Sequence, residues 1–129
     1  VSLDSIDPDV YPIVRVNGKL DNVMNNIEIL RKTSTNVGCS FVITKYNVRD
    51  LPNIVSWCNN KDITFSYHIL VNMSGGPIGY LTPICVEEET KEYLKEMREY
   101  LLSAQVDMKD TEISRKNVQM LYQYAERLK

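Results

Sequence analysis

Short stretches in which apolar and polar residues alternate predict three β-strands along the chain. In the first, Val1 and Leu3 alternate with Ser2 and Asp4, so the strand has one apolar and one polar face. An Asp-Pro pair then ends it with a turn. Two later stretches repeat the alternation, and the predicted strands cover residues 1–6, 39–45 and 63–68.

Apolar residues recur at three- and four-residue spacing in the segments between and after these strands, which indicates amphipathic helices. Leu20, Val23 and Ile27 begin the first of these apolar stripes. The predicted helices cover residues 20–32, 51–60, 86–104 and 111–128. Asp110 or Thr111 is expected to cap the last helix, because a side-chain oxygen at that position accepts a backbone N–H.

The polar faces of the three predicted strands agree with one another. Their side chains are those of Ser2, Asp4, Ser40, Thr44, Thr64, Ser66 and His68. Strands that alternate with helices are typical of parallel βαβ units, and strands covered on both faces are nearly continuously apolar. A consistent polar face therefore predicts helices on one side of the sheet and a wet cavity on the other.

The predicted fold class is α/β: a partial (βα) barrel fragment with three parallel strands, helices on one face and two C-terminal helices. Residues 1–129 form a single domain in this interpretation. In such barrels chemistry collects at the C-terminal ends of the strands, and a long loop, residues 71–83, is expected at the same mouth. The candidate site residues at these ends are Asp4, Thr44, Asn47 and His68.

Composition narrows the classes of function. The chain of 129 residues has a net charge of −2, so no general basic field attracts nucleic acid or an anionic membrane. No apolar run approaches the roughly 20 residues of a membrane span. The three cysteines are widely spaced, which argues against a disulfide framework and fits a reducing cytoplasm. The same spacing makes them poor candidates for metal or iron–sulfur ligation within this one chain.

Three segments resemble the family of radical S-adenosylmethionine enzymes. Val1–Lys32 resembles the family segment "SLDs.dpe.y..iR..g.ldnvlenI..L", and Phe41–Asn47 with Leu51-Pro52 resembles the next strand and its loop, "fvvtk.N..elp". Gly79–Glu89 is similar to the "G......lt.ee" that follows the sixth strand. Within the family, the resemblance points to the branch of the molybdenum-cofactor pyranopterin synthases and the SPASM-type peptide and protein maturases.

The resemblance implies that this chain supplies strands four to six of the family's partial (βα)6 barrel. It would also account for a sequence that begins directly with strand residues, and we expect the chain to be part of a longer polypeptide. The family's cluster motif, C-x-x-x-C-x-x-C, and its Gly-Gly-Glu-Pro-type motif lie earlier, and this sequence contains neither. The resemblance therefore implies S-adenosylmethionine and a [4Fe–4S] cluster in the longer protein, and an isolated chain that retains neither and is inactive.

The function that the resemblance implies is that of a radical S-adenosylmethionine oxidoreductase or maturase. In this family a 5′-deoxyadenosyl radical abstracts hydrogen from the substrate. Here the substrate would be an unknown small molecule or peptide.

By position, the resemblance also implies a cofactor-binding set. Ser2 matches the fourth-strand serine that contacts S-adenosylmethionine in the family, and Asp4 follows it on the same face. Ser40 and Thr44 match positions of the fifth strand that face the barrel lumen. Asn47 matches the asparagine of the exit loop after that strand.

Several of these residues also have a simpler structural interpretation. Ser2 can bond to a neighbouring loop, Asp4 can hold a corner through backbone N–H groups, and Asn47 can fix its own loop. His68, the sole histidine, is a candidate acid–base or substrate-binding residue or a hydrogen-bonded structural one. The sequence departs from the family pattern at Pro12, which interrupts the usual helix, and at Val16, where a glycine often follows the arginine. Both departures leave the role of Arg15 open.

Two other classes of function stay open at this point. A non-catalytic small α/β module for signalling or binding is one alternative, although the adjacent acidic pair of a receiver domain is absent. An assembly role is the other, because exposed sheet edges invite pairing with another chain. The isolated chain is accordingly expected to self-associate, as a dimer, and no nucleic-acid or membrane partner is expected.

Overall fold

Two parallel strands and five helices make up the part of the chain that the structure, a computed structural model, describes: residues 1–33, 36–69 and 85–128. The strands are β1 (Gly38–Ile43) and β2 (Thr64–Ile69). The helices are α1 (Tyr11–Val14), α2 (Leu20–Thr33), α3 (Leu51–Asn60), α4 (Lys91–Ser103) and α5 (Glu112–Arg127). Short 3₁₀ turns at Val48–Asp50 and Val86–Glu88 lie before α3 and α4.

The apolar face of the sheet forms the centre of the core. β1 and β2 pair in parallel, with Phe41 opposite Tyr67. The ring centroid of Phe41 lies 5.4 Å from that of Phe65, and the ring of Tyr67 meets Tyr124 of α5 edge-on at 5.3 Å. These aromatic contacts join the sheet to the last helix, because large rings bury much apolar area and favour tilted or edge-on pairs.

The opposite face of the sheet is the polar one, as the alternation predicts. Ser40, Val42 and Ser66 are half-buried there, and Thr64 and His68 are exposed. The buried side chains of β1, by contrast, are those of the apolar face. The described helices therefore bury the apolar face of the sheet and leave its polar face accessible.

The predicted helix over residues 86–104 is interrupted. Val86–Glu88 forms a 3₁₀ turn, Glu89 is extended, and α4 begins only at Lys91. Thr90 is the N-cap of α4, since its side chain accepts a hydrogen bond from Tyr93 N at 3.2 Å. The acidic residues before Thr90 therefore lie outside the α-helix.

The prediction of three parallel strands in a partial (βα) barrel is wrong. The described residues contain a two-stranded sheet with the order β1-β2. The predicted first strand, residues 1–6, makes a single isolated parallel bridge, between Ser2 and Ser40. Two strands flanked by helices are an α/β arrangement, but they do not make a section of a barrel.

The first segment fails to become a strand because side chains replace its backbone in the hydrogen-bond ladder. Leu3 N donates to Ser40 O at 2.9 Å, and Ser40 N donates to the backbone oxygen of Val1 at 2.8 Å. One step further, Val42 N donates to the carboxylate of Asp4 and Val42 O accepts from the side chain of Asn47, both at 2.9 Å. The backbone of the first segment therefore leaves β1 after Leu3.

The predicted functional loop, residues 71–83, lies outside the residues that the structure describes. Among the helices that it does describe, none has the length and apolar character needed to cross a membrane.

The N-cap of α5 provides a first testable prediction. Thr111 Oγ1 accepts a hydrogen bond from Ser114 N at 3.1 Å, so Thr111→Ala should lower the free energy of unfolding by about 1 kcal/mol. Urea denaturation monitored by circular dichroism measures this change. The control is Asp110→Ala. The carboxylate of Asp110 is fully exposed and pairs with an exposed arginine, so its loss should change the free energy of unfolding by less than about 0.5 kcal/mol. A larger cost for Asp110→Ala than for Thr111→Ala would contradict the assignment of the cap.

Candidate functional site

A row of three serines crosses the polar face of the sheet. Ser2 is bridged to Ser40, and Ser40 lies opposite Ser66 in the parallel register. Side chains of paired residues in a parallel ladder project to the same face. The three hydroxyl groups therefore lie side by side on the accessible surface of the sheet.

Two of these hydroxyls are available to a ligand. Ser66 Oγ donates a 3.4 Å hydrogen bond to Cys39 O, whereas the hydroxyls of Ser2 and Ser40 form no hydrogen bond with the described residues. Ser2 is exposed and Ser40 is half-buried. A serine hydroxyl is both donor and acceptor, so this pair can bind hydroxyl, amine or carboxylate groups of a small molecule.

The carboxylate of Asp4 is occupied within the fold. Its Oδ1 accepts a hydrogen bond from Val42 N at 2.9 Å, and its Oδ2 accepts one from Arg15 Nε at 2.6 Å. The side chain is 8% exposed. Asp4 therefore acts as a buried, charge-paired acceptor that ties the first segment to β1, and little of it faces a ligand.

Asn47 and Thr44 form the turn that follows β1. Asn47 Nδ2 donates to Asp4 O at 2.8 Å and to Val42 O at 2.9 Å, while Asn47 Oδ1 accepts from Thr44 N at 2.8 Å. Thr44 Oγ1 accepts from Tyr46 N at 3.2 Å. Both residues are buried. Their side chains bind backbone groups at the place where the predicted first strand would have continued along β1.

His68 lies one step along the sheet from the serine row. It is opposite Val42 in the ladder, on the same face as Ser40 and Ser66, and it is exposed. An exposed imidazole beside a polar surface can donate or accept hydrogen bonds with a ligand. The geometry brings it near the serine row, and none of the described residues forms a hydrogen bond or ion pair with its ring.

The residues proposed from the sequence thus divide into two groups. Ser2, Ser40 and His68 present side chains to solvent on one face, whereas Asp4, Thr44 and Asn47 form a hydrogen-bonded corner at the end of β1. Sequence reasoning left open the role of Arg15, the ion-pair partner of Asp4, which lies eleven residues after it. Nothing in local periodicity could have linked these two residues.

The described cysteines do not suit an iron–sulfur cluster. Cys39, Cys58 and Cys85 are buried in the apolar interior, on β1, on α3 and before the second 3₁₀ turn. Burial raises the pKa of the Cys39 and Cys58 thiols, although cluster ligation requires thiolates. Among the described residues, no group of three or more histidine, cysteine or acidic side chains could hold a metal ion.

Comparison with known proteins adds no relative to this description. No protein-family model, no curated protein and no solved structure matches the chain.

Proposed function

We propose that this chain is part of a radical S-adenosylmethionine enzyme and that the polar face of its sheet forms one wall of the cofactor site. Ser2 and Ser40 are the residues that would hold the cofactor. Bound there, S-adenosylmethionine would supply the 5′-deoxyadenosyl group for hydrogen abstraction from a small-molecule or peptide substrate. The cysteines of residues 1–129 do not fit the iron–sulfur cluster, so its ligands would belong to another segment.

The observation that carries the proposal is the pairing of Ser2 with Ser40 on the accessible face. The resemblance to the family rests on the residues around these two positions, and it matches Ser2 to a serine that contacts the cofactor. The parallel bridge supports this assignment, because it sets the two hydroxyls next to each other. Their lack of partners among the described residues leaves both free to donate and accept hydrogen bonds.

The remaining polar residues have supporting roles in this proposal. Asp4 and Asn47 hold the first segment against β1 and so orient Ser2. His68 lies beyond the serine pair on the same face. There it can contact the substrate or exchange a proton with it, since its imidazole is accessible.

The coding sequence upstream of Val1 is the first test. The proposal expects a C-x-x-x-C-x-x-C motif in frame with residues 1–129. A reading frame that begins near Val1, with no such motif, would contradict it.

The second test uses the polypeptide that carries both the cluster motif and residues 1–129, reconstituted without oxygen. Ser2→Ala and Ser40→Ala should each raise the KM for S-adenosylmethionine by about three- to tenfold, the expected loss for one or two hydrogen bonds. Release of 5′-deoxyadenosine measures the reaction. Thr64→Ala is the matched control, because Thr64 is exposed on the same face but lies at the start of β2. Unchanged KM values in both serine variants would refute the proposed cofactor wall.

A further inference from the structure

We propose that Arg15 is a positioning residue for the Ser2–Ser40 pair, acting through Asp4. This inference rests on the proposed function, and it assigns a role to a residue that touches neither serine. Three links carry it: a rigid corner that fixes Arg15, an ion pair to Asp4, and a hydrogen bond from β1 to the same carboxylate.

The backbone of Arg15 is fixed on both sides. Arg15 N donates to Tyr11 O at 2.8 Å, and Arg15 O accepts from Gly18 N at 2.9 Å. A Cβ atom at Gly18 would lie 2.8 Å from a ring carbon of Tyr11 and 2.9 Å from Arg15 O, closer than van der Waals contact allows. Tyr11 is buried, so its ring has little room to yield. The corner made by α1 and the following turn therefore holds Arg15 in one place.

From this corner the side chain of Arg15 reaches Asp4, next to the serine row. Arg15 Nε donates to Asp4 Oδ2 at 2.6 Å, and Asp4 Oδ1 accepts from Val42 N. Asp4 lies two residues after Ser2, and Val42 lies two residues after Ser40. The ion pair is therefore one step along the ladder from the Ser2–Ser40 bridge, on the two chain segments that form it.

Arg15 is needed because Asp4 is almost completely buried. A buried carboxylate requires a compensating charge as well as hydrogen bonds. Arg15 is 42% exposed at its side chain, so its own solvation cost is small. Without the guanidinium, the carboxylate gains by turning toward water, and the hydrogen bond to Val42 N is lost. The first segment then keeps only its backbone bonds to Ser40 and the bond from Asn47 to Asp4 O among its ties to β1 and the turn after it, and Ser2 is held less firmly beside Ser40.

The test compares Arg15→Gln with Arg115→Gln, an arginine of α5 whose ion pair with Asp110 is exposed. In the 129-residue chain, Arg15→Gln should speed amide hydrogen exchange at Val42 and Leu3 by about tenfold, the worth of one charge-assisted hydrogen bond. Amides of α4 and α5 should keep their rates. In the longer polypeptide the KM for S-adenosylmethionine should rise by a similar factor while kcat stays within about twofold of its value. The control should change neither quantity.

Two further variants distinguish a specific effect of Arg15 from a general loss of the fold. Arg15→Lys keeps a charge that can approach Asp4, and it should recover part of the lost protection at Val42. In an Asp4→Asn background, Arg15→Gln should add almost nothing, since Arg15 acts only through the carboxylate.

The outcomes separate this inference from the proposed function. Unchanged exchange at Val42 in Arg15→Gln, or additive effects with Asp4→Asn, would overturn the positioning role. Faster exchange at Val42 with an unchanged KM for S-adenosylmethionine would instead refute the cofactor wall at Ser2 and Ser40. Faster exchange together with a raised KM, rescued in part by Arg15→Lys, supports both.

Discussion

Asn47→Ala is expected to lower the free energy of unfolding by about 3–5 kcal/mol, because it leaves two buried backbone groups and one partly buried group without partners at roughly 1–3 kcal/mol each. These groups are Thr44 N, Asp4 O and Val42 O. Asn47 itself is fully buried, so water cannot readily replace its amide. Such a loss is a large fraction of the roughly 5–15 kcal/mol that stabilises an ordinary domain.

Urea denaturation of the purified chain measures this effect. Asn25→Ala is the control, since Asn25 is exposed on α2 and its loss should change stability by no more than about 0.5 kcal/mol. Asn47→Asp is a sharper variant. It keeps an acceptor for Thr44 N but turns a carboxylate oxygen toward two carbonyls, so it should be at least as damaging as alanine. A cost below about 1 kcal/mol for Asn47→Ala would show that the turn reorganises without loss of pairing.

Asn117→Ala should have a cost of similar size, about 3–5 kcal/mol. Asn117 Oδ1 accepts from Phe65 N at 2.8 Å, and its Nδ2 donates to Ile63 O at 2.8 Å and to Asn59 Oδ1 at 3.0 Å. Phe65 N and Ile63 O lie on the side of β2 that faces away from β1. One amide of α5 thus takes the place that a further strand would occupy.

Thermal or urea unfolding of three variants checks this prediction. Asn117→Leu fills the volume of the amide without its hydrogen bonds, so it should stay destabilised and separate lost pairing from an empty cavity. Gln119→Ala, an exposed change in the same helix, should be nearly neutral. Near-native stability of Asn117→Leu would contradict the assigned role.

The loss of Asn117 should also affect association. Its amide caps the first part of the β2 edge that faces away from β1 and pairs with no other described strand, and uncapped edges pair with other chains. The self-association expected from the sequence should therefore be stronger in Asn117→Ala than in the parent chain. Light scattering over a range of concentrations measures the difference.

Several elements could be predicted from local pattern alone. α2, α3 and β2 lie within one residue of the predicted bounds, and the cap of α5 is one of the two residues proposed for it. Alternation with a period of two and apolar spacing of three to four residues are properties of neighbouring residues. They require no knowledge of distant contacts.

The candidate site was only partly accessible to the same reasoning. Alternation predicts that Ser2, Ser40 and Ser66 share a polar face, and the ladder sets them in one row. It does not distinguish free hydroxyls from side chains already engaged in the fold. Asp4 and Asn47 are as polar as the serines in the sequence, yet the side chains of both form hydrogen bonds with backbone groups of the fold.

By itself, then, the sequence of this protein determined where α2, α3, α5 and β2 lie, the limits of β1 to within two residues, and which face of the sheet is polar, because side-chain periodicity is encoded locally. Only the tertiary structure decided how many strands form. Val1–Leu3 has the alternation of a strand, but a strand needs continuous backbone pairing. The next partners of Val42 are instead the side chains of Asp4 and Asn47, whose places relative to β1 depend on how distant segments pack.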